Sequence, residues 1–472
     1  MLAALALALP SGARANGVRI VAVGAPPLSS PNVSLVASLP DTGMTGGRFA
    51  GGYFFATISS PIPFEAGPNS GVRIFDVRIP EVPLLVGVLP LPHAENEDVD
   101  VSVSRKLLLI SMDTISERLG RGDYFYVVSW TNPNLPRQIG SLRLPQSVKA
   151  ADGRNVGGPG HIVNCIADCA RYAYITGAGD GSIFVVDLKD PTAPAIAKVL
   201  QPRALKPKTR FGKEGIGTVH DVNVEPSGLV WMTGGRGAVL MDAKDPLNPR
   251  PLKWMYPHQA QAYNQFIFHN SLRLDRRTVL ITEEDWLEPG CGSTEVTVPG
   301  EGSFGGGQQG GFQTWAVNGT KGGEGAVKFA DQWLTELDQY ANGSNPVTVT
   351  CSSHWFTFNE HKIVAVGWYN QGVRFLDVSD PKDIRQVGYW LAPGTMASAA
   401  YFAPGRNDIV YVTDYVRGFE VLRIQGGGRG AATVTAPLRA EWLGHRAPGG
   451  VSVDPFGPSK DWGYACRRLS LL

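Results

Sequence analysis

Charge is scarce in this chain: only 18% of its 472 residues are Asp, Glu, Lys or Arg, and the formal net charge is +1. An average soluble domain carries roughly 25% charged residues. A nucleic-acid binder would show a basic surplus or a dense Lys/Arg run, and neither is present, so nucleic acid is excluded as the expected partner. Long apolar runs are also missing. No stretch reaches the ~18 apolar residues of a membrane-crossing helix, so no transmembrane segment is expected. Cysteine is sparse, at five residues: Cys165, Cys169, Cys291, Cys351 and Cys466. The C-x3-C spacing of the first two is not a zinc signature. They flank a hairpin turn and suit a local pair, whereas Cys291 and Cys351 suit a link between neighbouring units. Catalytic signatures are absent too: there is no G-x-S-x-G elbow, H-E-x-x-H helix or phosphate-binding loop.

What is abundant is punctuation, with 57 Gly and 35 Pro dividing the chain into short apolar runs. Such a composition favours an all-β chain rich in turns. The runs repeat. A third-strand motif appears as GVRIFDVRIPEVP from Gly71, YFYVVSWTNPNLP from Tyr124, SIFVVDLKDPTAP from Ser182, GAVLMDAKDPLNP from Gly237 and GVRFLDVSDPKDI from Gly372. Weaker copies start at Phe312 (FQTWAVNG) and Gly418 (GFEVLRI). An Asp–Pro turn stops the strand in several copies, and a fourth strand such as 83–89 or 385–391 follows.

Four antiparallel strands recurring at this period are the signature of a propeller blade. The expected fold is therefore all-β, a seven-bladed β-propeller with blades at about 46–92, 97–145, 161–201, 220–256, 267–337, 354–392 and from 396. The last blade has three strands, and the spare N-terminal strand 32–39 is expected to complete it and close the ring. Residues 16–440 then form one domain, and 441–472 read as a loose tail. Residues 1–15 resemble a signal peptide, with an apolar LAALALAL run and an Ala13-Arg14-Ala15 cleavage site but no basic n-region; they imply export to the periplasm, cell surface or medium. The fifth blade carries a Gly-rich insert at 287–312, followed by a segment around FADQWLTELDQY that suggests a short helix.

Aligning the first strands of the blades places His161, His220, His269 and His354 at one equivalent position. Glu97 takes that place in the second blade, Ser398 or Ala399 in the last, and Arg48 in the first. First strands line the channel in one direction, so these residues form a ring near one mouth. Imidazole nitrogens and a carboxylate around a common centre suit copper, zinc or iron. Asp221 and Asn270 are candidate outer partners, and Glu283, Glu284 and Asp285 end a second strand near the same mouth. Repeated histidines also serve to hydrogen-bond loops between blades, and both uses are open at this level. His93, His258, His361 and His445 lie off the register, while Trp286, Trp355, Trp368 and Tyr369 near strand ends suit a pocket wall or packing between blades.

The cores IFVVDLKDP and VRFLDVSDP resemble the LVIVD-repeat propellers, a group of mostly exported bacterial proteins, across residues 46–424. More distantly, HIVNCIADC with SIFVVDL, and VLITEEDWLEP, are similar to segments of the selenium-binding protein/methanethiol oxidase family. That second resemblance implies seven blades and copper at channel histidines, a role falling on His161, His220 and His269. The leading expectation is an exported binding propeller whose His/Glu ring holds a transition metal or a small polar ligand. A copper-dependent oxidoreductase of small thiols is the second. A metal-free scaffold meeting a protein or glycan on its loop face is the third.

Overall fold

The computed structural model describes residues 26–39, 43–58, 71–91, 99–111, 125–144, 147–149, 155–157, 161–176, 182–201, 219–234, 237–255, 267–284, 296–298, 302–304, 310–318, 327–336, 352–426 and 431–437. Residues 1–15, Glu97, Asp285, Trp286, Cys291, Cys351, Cys466, His93, His258, His445 and the 441–472 segment lie outside them.

Two successive Asx turns explain the repeat. At the ends of four third strands, Asp76, Asp187, Asp242 and Asp377 accept a hydrogen bond from the backbone N–H two residues on, at 2.8–3.1 Å. Asp190, Asp245 and Asp380, or Asn132 in the second copy, then do the same. A side chain that mimics a backbone turn ends one strand and starts the next in the opposite direction. Each motif is thus a strand with its own reversal built in.

Among the described residues the result is five separate four-stranded antiparallel sheets, spanning 44–90, 99–142, 163–200, 219–255 and 267–333, numbered here one to five. Two further meanders, 355–391 and 397–424, join into one nine-stranded sheet through parallel pairing of Trp355 with Ala399 and Phe356 with Ala400. Residues Leu28–Ser29 and Val33–Leu39 occupy the two outer edges of that sheet, Val33–Leu39 antiparallel to Gly418–Ile424. First strands contact one another in sequence from sheet to sheet, and Ala397–Phe402 contacts Met44–Ala50, so the succession returns to its start. This is a β-propeller. The described residues contain no helix long and apolar enough to cross a membrane.

Burial follows the layers. Second and third strands are almost wholly buried, as in Ile183–Asp187, while the outer strand Ala195–Leu200 is largely exposed. The core lies between sheets: Leu109 and Val127 of sheet two pack with Val163, Ala173, Phe184 and Val186 of sheet three. Each such side chain contributes about 1.5–3 kcal/mol when fully buried.

Several expectations are corrected. Of the segment FADQWLTELDQY, the first five residues are not helical: Val327–Trp333 is the outer strand of sheet five, paired with Phe312–Val317, while 337–340 lie outside the described residues. Within the Gly-rich insert, Val296–Val298 pairs with Gly302–Phe304 as a short hairpin. Arg48 does not stand at the histidine position, because its pairing with Phe55 sets it on the level of Asp100, Asn164 and Asn223. Thr45 and Gly46 take the histidine level in sheet one, inside the bulge between Met44 and Gly47. Cys165 and Cys169 form the local disulfide expected of them.

Candidate metal centre at the start of the inner strands

The inner strands are not regular where the histidines sit. Register slips between Val219 and Asp221, between Phe268 and Ser271, and between Ala397 and Ala399. His220, His269 and Ser398 therefore occupy β-bulges, which turn a side chain out of the pleat. Neighbouring sheets fix the bulges at His220 and His269 through a threonine at the end of a second strand. Thr176 donates its hydroxyl to the His220 carbonyl, and Thr233 donates to the His269 carbonyl at 2.7 Å. Thr413 does the same to the Thr45 carbonyl at 3.1 Å. The link between sheets thus uses the histidine backbone and leaves the rings to meet one another.

They meet in a row. His161 and His220 face each other through Nε2 atoms 2.9 Å apart. Ring centroids of His220 and His269 lie 4.3 Å apart, and those of His269 and His354 lie 4.1 Å apart. His220, His269 and His354 are 0% exposed and His161 is 3% exposed. Glu284 ends the second strand of sheet five and reaches the same place, with Oε2 3.5 Å from His269 Nε2 and Oε1 3.7 Å from His354 Nε2. The Tyr369 hydroxyl donates to Glu284 Oε1 at 2.5 Å, and its ring lies 4.7 Å from that of His354. Tyr369 has φ 39°, a left-handed conformation that a bulky residue adopts only when its surroundings impose it. Here a bridge to Ala397 and the turn 368–372 impose it.

Ligand atoms of His220, His269 and Glu284 all lie within 4.8 Å of one another. Donors bound tetrahedrally to one ion at about 2.0–2.2 Å sit about 3.3–3.6 Å apart. Side-chain shifts of up to about an ångström would bring all three onto one centre. Two imidazoles and a carboxylate form a donor set for zinc or copper. A cation would also offset the cost of a fully buried carboxylate. His354 stands differently. Its Nδ1–H donates to the Ser398 carbonyl at 2.8 Å, which ties the two meanders together and directs Nε2 toward Glu284. That is the inter-blade use of a repeated histidine, and it also orients the ring as an outer partner would.

Of the residues expected at the site, the structure brings together His161, His220, His269 and His354, and sets Ser398 beside them. Asp221 and Asn270 bond to each other, Asn270 Nδ2 donating to Asp221 Oδ2 at 2.9 Å, and so join sheets four and five beneath the rings. Glu283 accepts a long bond from Gln313, at 3.5 Å. His361 is exposed, as its position off the register implied. Trp355 packs edge-on against His269, with centroids 5.1 Å apart. The threonine latch was missed by sequence reasoning, although Thr57, Thr176, Thr233, Thr282 and Thr413 recur at the second-strand ends and carry its signal.

No protein-family model matches the chain, and no curated protein matches it. Solved structures similar to it are propeller domains. The β-propeller domain of Myceliophteria thermophila Cps50 (Swd1) is 10% identical over 82% of this chain and 99% of that chain, with a TM-score of 0.51. The C-terminal WD40 domain of Sif2 is 10% identical over 81% of this chain and 82% of that chain, with a TM-score of 0.46. At this identity the likeness concerns the fold alone.

Proposed function

We propose that this chain is an exported, seven-bladed propeller that holds a transition metal among His220, His269 and Glu284. The blade count takes the 355–391 and 397–424 meanders as blades six and seven, with Val33–Leu39 closing the last blade. The observation that carries the metal reading is the buried convergence of two imidazoles and one carboxylate within 4.8 Å. His161 and His354 extend the row on either side, and Tyr369 orients the carboxylate. The Cys165–Cys169 disulfide fits an oxidising compartment outside the cytoplasm.

The bound ion would supply Lewis acidity or, as copper, redox capacity. Full burial of all three ligands favours a holding site over turnover, so the thiol oxidoreductase is the second reading and the metal-free scaffold the third. The decisive experiment is metal content by mass spectrometry on full-length protein from the exported fraction, beside a His220→Ala/His269→Ala double variant. Near-stoichiometric metal in the first and none in the second is expected. No metal in either, even after reconstitution with copper and zinc, overturns the reading and leaves a scaffold. Consumption of a small thiol by the loaded protein would promote the second reading over the first.

A further inference from the structure

The outer strand of a sheet is an edge, and this chain composes covered and open edges differently. In the 355–391 meander the edge is covered: Leu28–Ser29 pairs with the outer strand, and Tyr389 and Leu391 pack with Leu28, Val434 and Ala436. Open edges carry exposed charge, as Arg137 in sheet two, Lys198 in sheet three, Arg250 in sheet four and Lys328 in sheet five. Charge on an open edge discourages another strand from adding to it. Sheet one departs from this rule. Its outer strand, Leu84–Pro90 (LLVGVLP), carries no charge and pairs on one side only, with Gly71–Asp76. Register identifies the exchange. Leu84 stands opposite Asp76, at the place where Arg250 faces Asp242 and Arg385 faces Asp377. Leu85 takes the place of Gln386. The uncharged outer strand Val33–Leu39 differs in carrying Ser34 and Ser38.

The leucines do not stand alone. Ile79, Val82, Leu84, Leu85 and Val88 are five of the ten large apolar residues exposed among the described residues, so half of that surface gathers on one ten-residue stretch. Gly87 lets the sheet-two turn come close, since a Cβ there would stand 2.0 Å from the Pro133 carbonyl oxygen. Leu135, 69% exposed, extends the patch from that turn. The charges around it are already paired: Arg78 bonds Asp76, and Arg406 and Arg423 both donate to Glu81. A contiguous apolar surface inside a polar rim is the anatomy of an interface.

We infer that Leu84–Pro90 is a dimer edge, covered by the same strand of a second copy of this chain across a two-fold axis. A strand that meets its own copy in this way runs antiparallel to it and offers the same surface twice, so apolar meets apolar and no like charges oppose. Neutrality disfavours a nucleic acid, an anionic lipid or a charged peptide, for which the patch has no free opposite charge. A neutral lipid is disfavoured too, because it cannot satisfy the backbone N–H and C=O groups of an open strand. The inference rests on the outer strands and not on the metal reading.

Sedimentation equilibrium of the full chain over a broad concentration range tests it, and a reversible dimer is expected. Leu84→Arg/Leu85→Gln gives sheet one the residues that the chain itself uses at Arg385 and Gln386. It should weaken dimerisation at least about ten-fold with an unchanged circular dichroism spectrum. Val88→Ser, a milder change on the same strand, should weaken it several-fold. Val199→Lys, at an exposed apolar position on the outer strand of sheet three, should leave it as it is. A parent that stays monomeric at every concentration, a mass that climbs past the dimer, or undiminished dimerisation in both sheet-one variants would each overturn the proposal. So would equal weakening by Val199→Lys. Flotation with phosphatidylcholine vesicles is the companion measurement, and a monomer carried by the vesicles would assign the surface to lipid instead.

Discussion

The Nε2 atoms of His161 and His220 face each other at 2.9 Å across the junction of sheets three and four. Two ring nitrogens at that distance share one proton at most, so one ring accepts what the other donates. His161 thereby orients His220 without belonging to the tight His220–His269–Glu284 group. His161→Ala is expected to keep metal stoichiometry but to weaken affinity about 10–100-fold, the usual effect of losing an outer partner. His220→Ala and Glu284→Gln should abolish stoichiometric binding. Competition with a metal chelator of known affinity separates the two outcomes, and equal loss in all three variants would place His161 among the ligands.

Tyr369 should matter for stability as well as for the site. Its hydroxyl is a donor to a carboxylate that is wholly buried. Tyr369→Phe is expected to cost about 1–3 kcal/mol in urea unfolding of metal-free protein. The deficit should shrink when metal is bound. An unchanged midpoint without metal would show that the hydrogen bond contributes nothing.

Gly372 closes the turn that presents Tyr369. Its φ is 68°, and a Cβ there would stand 2.2 Å from the Trp390 carbonyl oxygen. Gly372→Ala is therefore expected to destabilise by more than about 1 kcal/mol. It should also lower metal affinity, since the Trp368–Gly372 hydrogen bonds that hold Tyr369 must shift. Gly405→Ala, at φ 72° but with nothing within 4 Å of a Cβ, is the control for backbone strain alone.

Acid should loosen the junction between sheet one and the 397–424 meander. Glu81 accepts from Arg406 at 2.9 Å and Arg423 at 3.0 Å, and Arg406 also holds Asp408. The Arg406 hydrogen bond keeps both carboxyls below their ordinary range. A carboxyl whose folded pKa is depressed contributes stability above its unfolded pKa, and that contribution is lost as pH falls through the folded value. The melting temperature should accordingly fall below about pH 4, and Glu81→Gln should flatten part of that fall. A parallel pH profile in the variant would remove Glu81 from the account.

Much of the propeller was legible because its signals are local. Each Asp that ends a third strand acts on a backbone N–H two residues away, so spacing alone marks the turn. The equivalence of the histidines was legible for the same reason, since each precedes a short alternating strand and a turn. The bulges at His220 and His269 were not, because a bulge is a mismatch between two strands and has no expression in either one alone. Arg48 was misplaced because its level is set by pairing with Phe55 across the strand, and the histidine level falls inside the Met44–Gly47 bulge at Thr45 and Gly46. The FADQW segment was misread as helix because its strand partner, Phe312–Val317, carries one of the weaker copies of the repeat, so the fourth strand that follows was not marked.

The sequence by itself determined the strand units, their turns and the recurrence of histidine, since these depend on contacts a few residues long. Only the tertiary structure decided which side chains share a centre. It chose Glu284 and Tyr369, which are 85 residues apart, and set Arg48 with Asp100 and Asn164 at the far end. Those choices depend on how each sheet is set against the next, through bonds such as Thr233 to His269 that link separate units. Distance along the chain carries no trace of such bonds, and closing the ring is what creates them.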